Sequence, residues 1–394
     1  MKICIQEQEF RARLARLNEK MKELALDAIL VYGDEYRKEN LRYVSNFWPI
    51  FERGAMLMQR DGEPMVLCAP EGEQVAREMS VWKDVRLVPD FLCVTVPDEI
   101  DYPLATYTSF RALAAQFREK APLSRLGISG LEDMPAGLTK TIQTTFDCEL
   151  VDISPVLFEM RLKKSPDEIA CIREAARLAE IGFRALLEED LIGKTERYAA
   201  AIAESAARAA GAEAVIFTVF GSGERSARII GRPTDKLIED GDMIMCALAI
   251  QYEGYVSTCE LPFAVGNYSK ETERVIDVLI RASAAGLPYL KAGEPMKHFV
   301  CAVREHFRRE GLAEYDVYPP LHGIGCAEAE SPYPDETTQT PFAVGMTVNT
   351  DISLFGMAGG SNRIEEGFVI TEDGAETLFP FMRTYFEDWL RRHG

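Results

Sequence analysis

The chain has 394 residues, 47% hydrophobic and 27% charged, with a formal net charge of −19, and this length predicts two domains rather than one core. The acidic balance argues against nucleic-acid binding, which needs clustered Lys and Arg side chains to displace counterions from phosphates. No apolar run reaches the roughly 18 residues of a membrane-spanning helix and no signal-peptide core is present, which predicts a cytoplasmic protein without a membrane partner.

The first 160 residues alternate helical and strand-like patterns. Apolar residues recur at helical spacing from Phe10 to Leu24, and the apolar run 28–32 follows as a buried strand. Asp61-Gly62 is a tight-turn signal between two strands. Strand-like runs lie at 55–58, 64–68, 85–88 and 125–128. We therefore predict an α/β domain over residues 1–160.

A second domain is predicted over residues 161–394. Ser165 fits a helix N-cap, Pro166 fits the first helical position, and Asp167 and Glu168 favour the positive end of the helix. The predicted elements that follow are helices at 167–188 and 195–210, a strand at 214–220, a hairpin at 243–266, helices at 270–290 and 296–310, and two final strands.

Four dispersed motifs lie in this second half. The hairpin contains Gly254-Tyr255-Val256-Ser257-Thr258. The others are Leu321-His322-Gly323-Ile324-Gly325, Val344 to Asp351, and Arg363-Ile364-Glu365-Glu366. In order and spacing they resemble the creatinase, prolidase and aminopeptidase P superfamily. The resemblance implies a creatinase-type α/β N-terminal domain and an α+β C-terminal domain of the pita-bread fold.

The resemblance also implies five metal ligands, of which this chain retains only some. The metal enzymes of the superfamily have two aspartates on the hairpin, where Ala247 and Thr258 stand here. His322 and Glu365 are retained, and Asp351 replaces a longer glutamate. We therefore expect no metal cofactor. The alternative is a single Mn, Zn or Fe ion held by His322, Asp351 and Glu365.

Two histidines that assist the superfamily's peptidases are replaced by Ile230 and Ala329. Which residue would take over from the histidine at the first of these positions is left open by the sequence.

If the motifs fold as in the superfamily, Glu260, His322, Asp351 and Glu365 face one pocket. Carboxylates that are close together in a low dielectric repel one another, so this pocket needs a proton or a cation. Protonated His322, Arg363 and a cationic substrate group are the three possible sources of positive charge. We predict that Arg363 is a substrate-binding residue.

Within the superfamily, the motif resembles metal-free creatinase and ectoine hydrolase. Glu260 lies six residues after Gly254, where creatinase has its catalytic glutamate. Glu260 and His322 are therefore the predicted catalytic residues, as nucleophile or general base and as proton donor. The predicted substrate-binding residues are Phe51, Arg53, Tyr255, Asp351, Arg363 and Glu365.

The Phe51-Glu52-Arg53 segment resembles a Phe-x-Arg segment that, in creatinase, reaches the active site of the partner subunit. The resemblance implies a homodimer in which Arg53 binds a substrate carboxylate through paired hydrogen bonds. A solvated arginine is the alternative interpretation. Farther along the chain, Glu328 and Glu330 are predicted to alternate on a strand, and Glu330 is favoured as the functional one.

The sequence thus predicts a metal-independent hydrolase that cleaves a carbon–nitrogen bond in a small amidine, guanidino or modified amino-acid substrate. One alternative is an Xaa-Pro dipeptidase- or aminopeptidase-like metallopeptidase with altered ligands. A second is a non-catalytic homologue that binds a small ligand or a partner chain.

Overall fold

The structure, a computed structural model, describes residues 2–92 and 105–393. The chain divides into two compact units, one formed by Ile5–Arg161 and the other by Met1–Cys4 with Leu162–Gly394. No helix in the described residues is both long and apolar enough to cross a membrane.

In its described residues, the first unit is an α/β domain built on one six-stranded sheet. Its strands are β1 (Ala28–Gly33), β2 (Gly54–Gln59), β3 (Met65–Cys68), β4 (Asp84–Leu87), β5 (Arg125–Ser129) and β6 (Glu149–Asp152). Its helices are α1 (Glu7–Glu23), α2 (Glu39–Ser45), α3 (Glu73–Met79), α4 (Phe110–Lys120), α5 (Ala136–Phe146) and α6 (Ser154–Arg161), with a 3-10 turn at Pro89–Phe91.

The sheet has the strand order β4-β3-β2-β1-β5-β6. Strand β1 lies inside it, antiparallel to β2 and parallel to β5, and all six of its residues are buried. Helix α1 buries Phe10, Leu17 and Met21, which confirms the helical spacing. The predicted runs at 28–32, 55–58, 64–68, 85–88 and 125–128 all fall on strands of this sheet.

The described residues of the second unit form two sheets and five helices. Its helices are α7 (Pro166–Glu188), α8 (Glu196–Ala209), α9 (Lys270–Gly286), α10 (Met296–Arg309) and α11 (Pro380–His393). Its strands are β7 (Ala214–Ser222), β8 (Met243–Tyr252), β9 (Tyr255–Cys259), β10 (Phe263–Ala264), β11 (Leu321–Gly323), β12 (Thr347–Leu354), β13 (Asn362–Ile370) and β14 (Ala375–Thr377). Short 3-10 turns lie at Gly223–Ala227, Leu287–Tyr289 and Ala313–Tyr315.

Both sheets of this unit are antiparallel. One has the order β10-β8-β7 with β9 also paired to β8, and the other has the order β11-β12-β13-β14. A bridge between Glu260 and Glu365 joins the two sheets. An α/β domain followed by an α+β domain is therefore confirmed.

Local sequence signals explain two of the boundaries. Ser165 caps α7 in a capping box with Glu168, and Pro166 occupies the first turn, as predicted. Glu253 and Gly254 connect β8 to β9 with φ values of 47° and 83°. Two consecutive residues with positive φ are the signature of a type I′ hairpin turn, which keeps the twist of the paired strands.

Other parts of this unit differ from the prediction. Glu330 makes only an isolated bridge with Gly323, so the predicted strand carrying Glu328 and Glu330 is wrong. The last two predicted strands are followed by β14 and by α11, which buries Phe381, Phe386 and Trp389.

In the first unit, Glu52 is a buried carboxyl group that the prediction had not singled out. Its side chain is 6% exposed and its Oε1 has no hydrogen-bond partner. Burial raises the pKa of Glu52 to about 7, although the backbone N–H groups of Gly72 and Glu71 oppose this. Between its unfolded pKa and about 7, the folded state therefore holds more protons than the unfolded chain, so stability falls as pH rises through this window.

Glu52→Gln should remove this loss of stability. We expect wild type and variant to unfold alike near pH 4.5, and the variant to be more stable by about 3 kcal/mol at pH 8. Denaturant unfolding at both pH values measures the difference. Glu63→Gln controls for the loss of one negative charge, because Glu63 is exposed in the same unit. Equal pH dependence in wild type and Glu52→Gln would contradict the prediction.

Candidate active site

Three acidic side chains form a row across adjacent strands of the second unit. Glu260 follows the end of β9, and its N–H and C=O each form a 3.0 Å hydrogen bond with Glu365 on β13. Glu365 also lies directly opposite Asp351 on β12. Residues that face each other across antiparallel strands project from the same side of the sheet, so the row is a direct result of the strand register. We call Glu260, Asp351 and Glu365 the acid cluster.

The Arg363 side chain lies within the acid cluster. Arg363 precedes Glu365 by two residues on β13, so both point to the same face. Its Nε donates to Glu260 Oε2 at 2.7 Å, its Nη2 lies 2.7 Å from Glu365 Oε1, and its Nε lies 3.6 Å from Asp351 Oδ1. All four side chains are at most 5% exposed. Arg363 is thus the positive charge that the acidic pocket requires.

Burial changes the proton affinity of the whole cluster. It raises the pKa of Asp351 to about 7, with Arg363 opposing and Glu260 adding to the effect. Burial also raises the pKa of Glu260, and that of Glu365 well above its ordinary value, in both cases against the attraction of Arg363. Burial disfavours a charged guanidinium as well, but Glu260, Glu365 and Asp351 outweigh it and raise the pKa of Arg363. One cation therefore serves three acids that hold protons more readily than free carboxyl groups.

A cavity of about 950 Å³ lies beside the acid cluster. Asp351, Arg363 and Glu365 contribute to its lining. The other lining residues are mainly apolar or aromatic and include Phe217, Val219, Ile230, Pro233, Tyr318, Pro319, Ala329 and Tyr333. A cavity of this size with a few convergent polar groups is typical of small-molecule sites.

His322 also lines the cavity, from β11. Its Nδ1 lies 2.8 Å from the carbonyl oxygen of Gly323, and because a carbonyl can only accept, Nδ1 must carry the proton. The lone pair of the neutral ring is therefore on Nε2, which lies 3.9 Å from Glu328 Oε1. His322 can accept a proton at Nε2 and donate it again.

Glu328 lies at the cavity, whereas the sequence interpretation had favoured Glu330. Glu328 lines the cavity, and its Oε1 accepts a 3.0 Å hydrogen bond from the hydroxyl of Thr258. Glu330 instead pairs with Lys164 Nζ at 2.7 Å, with both side chains buried. The predicted strand, which would have placed both glutamates on the same side, does not form here.

Two further residues support the site without having been predicted. Asn349 precedes Asp351 by two residues on β12, and its Nδ2 donates to Glu365 Oε2 at 3.2 Å. Side chains two residues apart on a strand lie on the same face, so the spacing from Asp351 could have identified Asn349. Tyr318 lies in a loop, with Arg363 Cζ 5.9 Å from its ring centre, and no periodic signal marks it.

The remaining predicted site residues do not line the cavity. The Tyr255 hydroxyl donates to Glu168 Oε1 on α7 at 3.0 Å, and Tyr255 does not line the cavity, so the structure assigns it a packing role. Phe51 and Arg53 belong to the first unit, and their predicted contact with a partner's site stays a prediction. Glu260 is fully buried and does not line the cavity. Its predicted attack on substrate has no support in this geometry, because its Oε2 is bound to Arg363.

The residues present do not fit a two-metal centre. Ala247 on β8 and Thr258 on β9 stand where the resemblance places bridging aspartates, and neither offers a carboxylate. Arg363 uses one oxygen of Glu365 that a metal would need. Within residues 2–92 and 105–393, no group of three His, Cys, Asp or Glu side chains is arranged to hold a metal ion.

Comparisons with known proteins agree with the fold. Metallopeptidase family M24 matches residues 170–372, which is more than half of the chain, and the Creatinase/Prolidase N-terminal domain matches residues 13–163. The predicted combination of a creatinase-type N-terminal domain with a pita-bread C-terminal domain is confirmed by these matches.

Individual relatives are peptidases by name. The uncharacterized peptidase YqhT of Bacillus subtilis (strain 168) is 32% identical over 233 residues, 59% of this chain and 66% of that protein. The Xaa-Pro dipeptidase of Pyrococcus horikoshii is 26% identical over 372 residues, 92% of this chain and 97% of that protein. The crystal structure of the X-Pro aminopeptidase from Thermotoga maritima MSB8 superposes with a TM-score of 0.79 at 25% identity, covering 93% of this chain and 96% of that chain.

These relatives overturn one prediction. A metal-independent hydrolase of amidine or guanidino substrates, similar to creatinase or ectoine hydrolase, is wrong, because the similar proteins are Xaa-Pro dipeptidases and aminopeptidases. The misleading signal was the pair of missing aspartates, which creatinase also lacks. The motifs, the domain matches and the fold together place the chain in metallopeptidase family M24, within the creatinase, prolidase and aminopeptidase P superfamily.

Proposed function

We propose that this protein hydrolyses the carbon–nitrogen bond of small peptides, with Xaa-Pro dipeptides as the first substrate class. The observation that carries the proposal is the match to an Xaa-Pro dipeptidase over 92% of this chain and 97% of that protein. A match that includes both domains supports a shared substrate class more strongly than a match to one domain.

The cavity supports a small peptide substrate. Its volume of about 950 Å³ lies within the range for small-ligand sites, and Ile230 and Tyr333 at its lining are 80% and 60% exposed. Such exposed apolar side chains offer a surface for a proline ring or an apolar side chain. The acidic side chains in the lining, Asp351, Glu365 and Glu328, suit the ammonium group of a free amino terminus.

In this cavity, His322 and Asp351 are the residues that act in proton transfer. Both line the cavity, and His322 presents Nε2 while Gly323 holds Nδ1. In our proposal, Asp351 orients the attacking water, and His322 accepts the proton of that water at Nε2 and then delivers it to the leaving amine as the carbon–nitrogen bond breaks. Arg363 fixes the carboxylates around the reacting groups, and Glu260 holds Arg363 in place.

No step is assigned to a metal ion, because the residues present do not fit a two-metal centre. The altered-ligand alternative is a single divalent ion on His322, Asp351 and Glu365. In that arrangement the ion and Arg363 would need the same carboxylate oxygen of Glu365.

The first test is turnover of Xaa-Pro dipeptides against matched Xaa-Ala dipeptides, with and without added Mn²⁺ or Co²⁺. We expect preferential cleavage of the Xaa-Pro peptides, measured as released proline. Creatine and ectoine should not be turned over. Absence of dipeptide cleavage under every one of these conditions would contradict the proposal.

His322→Gln should lower kcat/KM for such a dipeptide by on the order of 10²-fold or more, because it removes a proton-transfer group. His298→Gln is the matched control, because His298 lies on α10, bonds to Glu294 and does not line the cavity. Equal loss of activity in both variants would mean that His322 has no specific role.

A second candidate function, binding without turnover, is favoured by one specific observation. Arg363 already bonds to two of the three cluster acids, so those oxygens are not free to act on substrate. A ligand that binds only the folded state stabilises it and so raises the melting temperature. At a ligand concentration of 100 times Kd, the stabilisation is about 2.7 kcal/mol. Stabilisation by Xaa-Pro dipeptides without product release would favour this function, and stabilisation with turnover would favour hydrolysis.

The homodimer is retained as part of the proposal, with Phe51 and Arg53 assisting the site of the partner. Sedimentation velocity gives the oligomeric state. Arg53→Ala should raise KM for a dipeptide with little change in kcat if Arg53 binds a substrate carboxylate. A monomer in solution would contradict this assembly.

A further inference from the structure

We propose that Arg363 is a built-in cation that competes with divalent metal ions for the acid cluster, so that an ion can occupy this centre only when Arg363 leaves it. This competition is a property of the cluster itself, whatever the substrate is.

The oxygens of the acid cluster already have partners. Arg363 Nε and Nη2 each lie 2.7 Å from an oxygen of Glu260 and Glu365, distances typical of charge-assisted hydrogen bonds. The second oxygen of Glu365 accepts a hydrogen bond from Asn349. Both oxygens of Glu365 therefore already have a donor, and a metal ion would have to displace one of them.

A guanidinium group has no acceptor atom and stays charged at physiological pH. A divalent ion placed on Asp351 and Glu365 would lie within a few ångströms of this positive charge, in a region where all these side chains are at most 5% exposed. Repulsion between cations is strong where solvent is excluded, so the ion and Arg363 oppose each other's occupancy.

Glu260 is fully buried, does not line the cavity, and has Arg363 as the partner of its Oε2. Thr258 on β9 has no carboxylate. Glu260, two residues later, supplies the carboxylate that bonds to Arg363. Glu260 is thus a positioning residue for Arg363.

Divalent-ion affinity tests this competition. Arg363→Gln should bind Mn²⁺ on the order of tenfold more tightly than wild type in isothermal titration calorimetry, because the competing cation is gone. Arg363→Lys, which keeps the charge, should lie between the two. Arg232→Gln is the matched control, because Arg232 is exposed, lines the same cavity and carries the same charge without contacting the cluster. It should bind Mn²⁺ with an affinity close to that of wild type.

Thermal stability gives a second readout. Without metal, Arg363→Gln should melt at a lower temperature than wild type, since it leaves three buried acids without their cation. Added Mn²⁺ should raise its melting temperature more than that of wild type. Equal Mn²⁺ affinity in wild type and Arg363→Gln would overturn the proposal.

If Arg363→Gln does not fold, wild-type protein labelled with ¹⁵N-arginine decides the question. We expect the Arg363 Nε–H signal to be protected from exchange in the absence of metal, because it is buried and bonded to Glu260. On titration with Zn²⁺, either absence of binding or binding that abolishes this protection supports the competition. Stoichiometric Zn²⁺ binding at His322 and the acid cluster with an unchanged Nε–H signal would overturn it.

Discussion

The centre of this protein depends on the ion pairs of Arg363 with Glu260 and Glu365. Like charges placed opposite each other on adjacent strands repel, and Asp351 and Glu365 are such a pair. The guanidinium group lies between the acids and bonds to two of them, so the cluster can remain buried. Removal of one partner from a buried ion pair typically costs about 3–5 kcal/mol, because the other charge is left uncompensated.

The antiparallel sheets provide the geometry for this arrangement. The bridge between Glu260 and Glu365 joins the end of β9 to β13, and the register of β12 with β13 sets Asp351 opposite Glu365. The alternation of side chains along β13 then directs Arg363 to the same face. A shift of one residue in this register would turn the acids away from the cavity, so the fold specifies the site through backbone hydrogen bonds.

The fold was largely predictable from the sequence. The strands of the first unit and the start of α7 follow from apolar periodicity and from the Ser165-Pro166 capping signals, which are local in sequence. The motifs also predicted that Glu260, His322, Asp351 and Glu365 face one pocket. The last three line the cavity together with Arg363, whereas Glu260 does not. Their convergence depends on pairing between strands far apart in sequence, which the resemblance supplied and composition alone did not.

The parts that failed depend on tertiary contacts. Glu330 was favoured over Glu328, but the buried Lys164 pairs with Glu330, and no spacing rule indicates that contact. The Tyr255 hydroxyl bonds to Glu168 on α7, a contact that the motif does not indicate, and its contact with substrate stays a prediction. The missing aspartates at Ala247 and Thr258 suggested the wrong substrate class. The absence of these aspartates affects how the charge of the acid cluster is neutralised. The substrate class is indicated instead by the similarity to peptidases over both domains.

The acid cluster can be neutralised by an arginine or by a metal ion, and these two states place Arg363 differently. A crystal grown with MnCl₂, measured at a wavelength where manganese scatters anomalously, distinguishes them directly. Our account predicts Arg363 bonded to Glu260 and Glu365, with no anomalous peak beside an undisplaced guanidinium group. An anomalous peak ligated by His322, Asp351 and Glu365, with Arg363 still in place, would contradict it.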